Sequence, residues 1–294
     1  MIMTKKIEPS ELILNPDGSI FHLHLQPGQI AKDIILVGDP GRVEMIADFF
    51  DEIEVNVQNR EFVTVTGKYK GKRITVLSTG IGTDNIDIVI NELDALVNID
   101  LVTREIKETK TSLNLIRIGT SGALQGDIPV DAFLASRKAI GFDGLMNFYA
   151  RREEIADLAF ENAFKTYTNW NSLLASPYVV DCDIDLYNKI TDSEFVSGIT
   201  ISAPGFYGPQ GRELRLNIVD RQINDKIELF RFMDMKITNY EMECSAIYGL
   251  SKLLGHQALT LCIIIANRIT RNASIDYKPV MKRLVNKILD KLVQ

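Results

Sequence analysis

Histidine is scarce: the chain of 294 residues has three, His22, His24 and His256. None stands at metal-ligand spacing from a second histidine or a cysteine, so the parts of a zinc hydrolase are missing. The three cysteines, Cys182, Cys244 and Cys262, are too few and too widely spaced for a disulfide framework or a Cys-x-x-Cys pair. They fit a reducing cytoplasm. No Gly-x-Ser-x-Gly elbow occurs, which removes the serine hydrolases built on one. Positive charge is also short: 33 basic residues face 39 acidic ones, the net charge is −6 and the pI is about 5.3. No overall field draws a nucleic-acid backbone, so any bound anion must be held by a local cluster. The most apolar segment, Ala258 to Ala266, is about half the length of a membrane-spanning helix and reads as a buried strand. The N-terminal lysines have no apolar stretch behind them and make a poor secretion signal. The sequon Asn272-Ala273-Ser274 would matter only in a secretory compartment.

What the chain does contain is an ordinary globular balance, 46% hydrophobic and 24% charged residues. Runs rich in β-branched residues alternate with stretches of helical period, which predicts an α/β fold with a central mixed sheet surrounded by helices. Strands are expected at Asp33–Val37, Glu61–Thr66, Lys72–Ser78, Asn114–Gly119, Ala132–Ser136, Phe195–Ser202 and Leu259–Ala266. Helices are expected at Arg42–Phe50, Asn85–Asn98, Glu154–Thr166, Asp185–Thr191, Met242–Leu254 and Lys278–Leu292. Gly67 and Gly71 mark a hairpin loop between the second and third strands, which makes the sheet mixed. No linker divides the chain, so residues 1–294 read as one domain with 1–20 as an N-terminal extension. The charged run 100–112 reads as an exposed loop or helix extension.

Four glycine-bearing segments follow expected strands, where ligands collect in α/β sheets. In Gly38-Asp39-Pro40-Gly41-Arg42, Asp39 or Pro40 starts a helix whose N–H groups can face an anion, and Arg42 adds a fixed charge. Ser78-Thr79-Gly80-Ile81-Gly82 has a Gly-x-Gly, but Asn85 replaces the third glycine of a dinucleotide fingerprint. The turn then leads into a helix capped by Thr83, Asp84 or Asn85. In Ile116-Arg117-Ile118-Gly119-Thr120-Ser121-Gly122 an arginine sits inside an apolar strand, where it must meet a carboxylate or an anionic ligand. Arg42, Arg117, Thr120 and nearby N–H groups together suit phosphate. In Phe206-Tyr207-Gly208-Pro209-Gln210-Gly211-Arg212, Phe206 offers a stacking face, while Gln210 and Arg212 match the edge of an imide such as uracil. Tyr240-Glu241-Met242-Glu243 lies at the start of an expected helix. Its carboxylates suit either the helix dipole or sugar hydroxyls, with Met242 packed on the sugar. His22 and His24 alternate in Phe21-His22-Leu23-His24-Leu25, a strand-like segment that puts both on one exposed side. Gly255 ends a helix, so a cap or solvent contact accounts for His256.

This ordered set resembles the nucleoside phosphorylase-I family, and within it the branch that cleaves uridine. The motifs carrying the resemblance are FHLHL, GDPGR, NREF, STGIG, IRIGTSG, FYGPQGR, NYEMECSA and the IIIANR strand, from about Phe21 to the C-terminus. The resemblance implies a central mixed sheet and phosphorolysis of a glycosidic bond without a metal in the chemistry or an organic cofactor. Phosphate is the co-substrate. Gly38, Arg42, Arg117 and Thr120 would hold it, with Arg60 of NREF lent by a neighbouring subunit. Glu241, Met242 and Glu243 would hold the ribose, and His22 would reach a neighbour's site to meet the 5′-hydroxyl. Phe206, Gln210, Arg212 and Arg268 would meet the base, with Arg117, Gln210 and Arg212 the catalytic set. Two lent residues imply a homo-oligomer, a dimer or a hexamer built of dimers. No nucleic-acid or membrane partner is implied.

Purine-cleaving relatives carry an aspartate at the end of the penultimate strand, where this chain has Ala266-Asn267-Arg268. That departure points to a pyrimidine. The family's Gly-Pro-Ser after TGIG is Thr83-Asp84-Asn85 here, which leaves a monovalent cation site supported only by Glu61. Alternatives on the same scaffold are a purine nucleoside phosphorylase, a methylthioadenosine-type nucleosidase and a nucleoside-binding protein without catalysis.

Overall fold

The computed structural model describes residues 6–294. Strands and helices run β1 (Asp33–Val37), α1 (Pro40–Ala47), β2 (Glu52–Asn59), β3 (Phe62–Tyr69), β4 (Lys72–Ser78) and α2 (Thr83–Asn98). They continue with β5 (Asn114–Ala123), β6 (Phe133–Gly141), α3 (Leu158–Thr168), β7 (Tyr178–Asp181), α4 (Ile184–Ile190) and β8 (Phe195–Ser202). The last third holds α5 (Ile223–Leu229), β9 (Met235–Glu241), α6 (Cys244–Leu254), β10 (Gln257–Asn267) and α7 (Lys278–Val293).

The sheet order is β9-β8-β6-β10-β5-β1-β4-β3-β2, parallel at β5-β1-β4 and β5-β10 and antiparallel through β2-β3-β4. Gly122 and Ala123 of β5 also pair with Tyr240 and Asn239 of β9, which closes β5-β10-β6-β8-β9 into a ring. This is the single α/β domain with a mixed sheet that the alternating pattern predicted. The central strands are buried on both faces, as β1 is at all five positions, so they read as continuous apolar runs rather than alternating ones.

The parallel strands β1, β4 and β5 run side by side, with Leu36 in register with Arg117 and Val37 with Ser78. GDPGR and STGIG follow β1 and β4, whereas GTSG, expected as a turn after Gly119, lies inside β5, which continues to Ala123 by pairing with β10; the three glycine segments are neighbours at this edge. Asp39 caps α1 by accepting the Gly41 N–H at 3.0 Å, and Pro40 occupies the first turn, as expected.

Several local expectations give way. Gly67 lies inside β3 rather than in the turn, because β2, unrecognised in the sequence, passes so close that a Cβ there would meet the Glu52 carbonyl. The turn itself uses Lys70 and Gly71, both at positive φ. The cap of α2 is Gly82 (φ 100°), one residue before Thr83, and no side chain bonds the cap. Residues Ile99–Asp100 and Glu105–Ile106 form a two-residue hairpin within the charged run. FHLHL is a turn, not a strand, and His24 has φ 55°. His256 is buried behind Gly255, with Nδ1 accepting the Leu113 N–H at 3.2 Å and Nε2 3.2 Å from Asp94. Tyr240 and Glu241 end strand β9; the helix begins only at Cys244. Residues 6–20 are packed on the body, with Ile7 bonded to Arg104 and Ile20 fully buried.

Candidate active site

Arg117 occupies the middle of β5, between β1 and β10. Because a strand repeats every two residues, its side chain shares a face with Gly119. A Cβ on Gly119 would lie 3.3 Å from the guanidinium, so glycine there lets the side chain fold along the strand. Arg117 Nη2 donates to Glu243 and Nε lies 3.4 Å from Glu241 Oε2. Burial opposes the charge on Arg117, but Glu243 and Glu241 outweigh it and hold the group above its ordinary value. Both readings of the buried arginine therefore apply: it has carboxylate partners, and it stands at the edge where the glycine loops converge.

Arg42 reaches the same place from the first turn of α1, donating from Nη1 to the Ile118 carbonyl at 3.2 Å. It makes no ion pair among the described residues, and burial together with the nearby Arg117 pushes its pKa down. Two guanidinium groups so placed disfavour one another and favour an anion between them. Gly38 abuts this point, since a Cβ there would lie 3.4 Å from the Gly80 carbonyl. Thr120, half-buried on the same strand as Arg117, completes the set. Gly38, Arg42, Arg117 and Thr120 are thus brought to one edge of the sheet.

Glu241 and Glu243 bracket the half-buried Met242 in the short link between β9 and α6. Glu243 also accepts the Gly82 N–H at 2.8 Å, which ties the STGIG loop to the carboxylates. Burial first, and then Glu243, raise the pKa of Glu241; Arg117, Ser202 and the Glu243 N–H work against the rise. The side chains of Glu61 and Asn85 both approach Gly80 on the other side of this loop.

The base loop follows β8. Gln210 is buried, and its Oε1 accepts from Arg212 Nη1 at 2.6 Å and from Arg268 Nη2 at 3.2 Å. Arg268, which comes from the end of β10, also donates to the Gln210 carbonyl. Phe206 is 51% exposed, and one of its faces is covered by the Arg212 guanidinium at 3.8 Å from the ring centroid. Only its other face is open for stacking. Asn267, in the strand end Ala266-Asn267-Arg268 that carries no acid, is fully engaged. Its Nδ2 donates to the Gln125 and Ile128 carbonyls and its Oδ1 accepts from Ile269 and Thr270. A cleft of about 1320 Å³ borders the outer side of this loop at Tyr207, Pro209 and Arg212; Arg42 and Arg117 are not in its lining.

His22 and Arg60 form a separate group. Glu92 of α2 accepts from His22 Nδ1 at 2.6 Å and from the N–H groups of His22 and Leu23, while Asn59 donates to the His22 carbonyl at 2.7 Å. The Arg60 guanidinium lies over Phe21 at 5.6 Å. Neither His22 nor Arg60 bonds to Arg42, Arg117 or Glu243 among the described residues. Gly82, bonded to Glu243, precedes Glu92 by ten positions, or about 15 Å of helix.

Sequence reading did not single out Ser202, which donates to Glu241 Oε1 at 2.5 Å, or Glu92, which holds His22. A serine closing a strand and a glutamate inside a helix give no local signal of such a role.

Residues 32–293 match the model of the phosphorylase superfamily. The chain belongs to that family. It is 30% identical to a uridine phosphorylase of Thermococcus kodakarensis over 268 residues, covering 91% of this chain and 84% of the relative. A DeoD-type purine nucleoside phosphorylase of Listeria monocytogenes is 25% identical over 244 residues, covering 83% and 85%. Among solved structures, a nucleoside phosphorylase of Trypanosoma brucei, described as showing uridine phosphorylase activity, superposes with a TM-score of 0.85 at 29% identity. That match covers 96% of this chain and 99% of the other. The family model and the phosphorylase relatives together make the protein a pentosyltransferase.

Proposed function

We propose that the protein splits uridine reversibly with inorganic phosphate, giving uracil and ribose 1-phosphate. The observation that carries this reading is the base loop, where Gln210 is held by Arg212 and Arg268 while position 267 offers no acid. A uracil leaving group spreads negative charge over O2, N3 and O4. Two cations and an oriented carboxamide suit it, whereas a purine leaving through N7 calls for a proton donor. The uridine phosphorylase relatives support the same choice.

In this reading phosphate sits at Gly38, Arg42, Arg117 and Thr120 and approaches C1′ as the bond to N1 lengthens. The C1′–N1 electron pair leaves with uracil, and a phosphate oxygen forms the new bond to C1′. Glu243, Met242 and Glu241 line the ribose. His22, held by Glu92 about 15 Å along α2 from the Gly82–Glu243 bond, and Arg60 serve a neighbouring subunit's site, which makes the working form at least a dimer. Phosphate is a co-substrate, no organic cofactor or metal takes part in the chemistry, and the compartment is the cytoplasm.

Incubation of the purified protein with uridine, with and without phosphate, tests this directly. Uracil released only with phosphate is the expected result. Release without phosphate would make the protein a nucleosidase, and turnover of inosine in place of uridine would move it to the purine branch. Saturable uridine binding with no release would make it a binding protein.

A further inference from the structure

We propose that Ser202 is a positioning residue for phosphate capture, holding Glu241 as a carboxylate that orients Arg117 from behind. The inference rests on the phosphorolysis reading above and names a residue that reading does not use.

Ser202 ends β8 and is fully buried. Its oxygen accepts the Ser245 N–H at 2.9 Å, so its one proton is free to point elsewhere, and Glu241 Oε1 lies 2.5 Å away. The Ser245 side chain is itself held, because its hydroxyl donates to the half-buried Asp143 at 3.1 Å and lies 2.9 Å from the Tyr178 hydroxyl. The hydroxyl of Ser202 therefore has one acceptor to serve.

Every hydrogen-bonding neighbour of Glu241 is a donor. Oε1 takes Ser202 and the Cys244 N–H at 3.0 Å; Oε2 takes the N–H groups of Glu243 and Cys244, each at 2.9 Å, and faces Arg117 Nε. A carboxylate has roughly four lone-pair positions, and four protein donors occupy them. Little capacity remains for a sugar hydroxyl. Glu243 takes only the Gly82 N–H and Arg117, so it is the acceptor with room for the ribose. Glu241 instead holds the Nε side of Arg117 while Glu243 holds Nη2, which leaves Nη1 to turn toward phosphate.

The charged and titratable groups facing Glu241 are Glu243 and Cys244 on α6, Arg117 on β5, with Arg42 behind it, and Cys262 on β10. Burial keeps both thiols protonated throughout the working range. Burial and Glu243 already lift Glu241, so losing the Ser202 donor lifts it further.

The test compares wild type, Ser202→Ala and Ser202→Thr, each shown folded by its melting transition, in steady-state assays of uridine phosphorolysis against pH. Ser202→Ala is expected to raise the phosphate KM about tenfold, the effect of losing one hydrogen bond to a charged group. The uridine KM should change by less than about twofold, since Glu243 is untouched. The acid limb of kcat/KM for phosphate should move to higher pH; the ionisation of phosphate is common to all variants and cancels in the comparison. Ser202→Thr, which keeps the hydroxyl, should restore both. If the alanine variant does not fold, Ser202→Cys, a weak donor of similar size, is read in the same way. A folded variant without the hydroxyl whose two KM values rise together, or whose acid limb stays in place, overturns the proposal alone. No uracil release by the wild type overturns the functional reading and this one with it.

Discussion

Arg212 and Arg268 converge on one atom, the Oε1 of Gln210, at 2.6 and 3.2 Å. Arg212 comes from the same loop and Arg268 from the end of β10, so the contact joins two elements more than fifty residues apart. Two donors fix the carboxamide with its oxygen toward the arginines, and its Nε2 makes no hydrogen bond to the described residues. The arrangement has no carboxylate in it. Burial and the neighbouring Arg212 push Arg268 down to about 10, so the pair stands charged at neutral pH and poised to gain from an electron-rich ring.

Removing either arginine should therefore slow bond breaking rather than unfold the protein. For Arg212→Ala the expected loss in kcat with uridine is about 10²-fold, the scale of deleting one preorganised donor. Arg268→Ala should cost less, because Arg268 also holds the loop through the Gln210 carbonyl and its effect divides between KM and kcat. Steady-state kinetics on the two variants checks the order; an Arg212 variant with unchanged kcat removes that residue from the mechanism.

Gly119→Ala probes the phosphate edge without touching a charged group. The added methyl would lie 3.3 Å from the Arg117 guanidinium, tighter than a relaxed contact, and the side chain must move away from Glu241 and Glu243. The position has ordinary negative φ, so the backbone tolerates alanine. The expected outcome is a phosphate KM raised by about 10-fold with a melting temperature close to wild type, on the reasoning that small displacements of a positioned group are costly. Phosphate titration of the rate is the measurement.

The central strands were legible in the sequence because they are buried on both faces: the limits of β1, β4 and β8 match the apolar runs residue for residue. β2 was not: its apolar positions Ile53, Val55 and Val57 alternate with polar ones, but only Val55 and Val57 are half-buried and Ile53 is exposed, so the run lacks the continuous apolar character of the central strands. β9 was hidden for another reason, as its last residue, Glu241, read together with Glu243 as a helix start. Within the site, Arg117 announced itself as a charge in an apolar run, and Gln210 as a carboxamide in a glycine-rich loop. Ser202 and Glu92 have no such signature, because their roles arise only from contacts 39 and 70 residues away. His256 was misread because a glycine cap forecasts the end of a helix but says nothing of what packs over the next residue.

Asp143 gives a pH test of the buried network behind α6. It accepts from the Leu145 N–H, Tyr178 and Ser245, yet burial pushes its pKa above the usual carboxylate range. A carboxyl raised in the folded state favours folding while protonated and costs stability as pH climbs past its ordinary value near 3.8. Asp143→Asn cannot ionise, so its melting temperature minus that of wild type should become more positive between about pH 4 and 7. Calorimetry at several pH values reads the slope; a flat difference would mean that Asp143 is stabilised as an anion by its three donors.

The separate placement of His22 and Arg60 carries the last prediction. Glu92 and Asn59 hold His22, and Arg60 lies over Phe21 with no bond to Arg42 or Arg117 among the described residues; the proposed shared site takes both groups from a second copy. Arg60→Ala and Arg117→Ala homomers should each be nearly inactive, one lacking the lent arginine and the other its own. In a mixed dimer, however, the Arg60→Ala subunit keeps its own Arg117 and receives Arg60 from its partner, which restores one site of two. Random pairing of equal amounts then gives roughly a quarter of the wild-type activity from two inactive stocks, by the reciprocity of a two-fold interface. Co-expression with distinguishable tags and assay of the isolated mixed species, expected at about half of wild type with one site of two restored, measures this. Inactive mixed dimers would place Arg60 in the service of its own chain and remove the physical basis for a shared site.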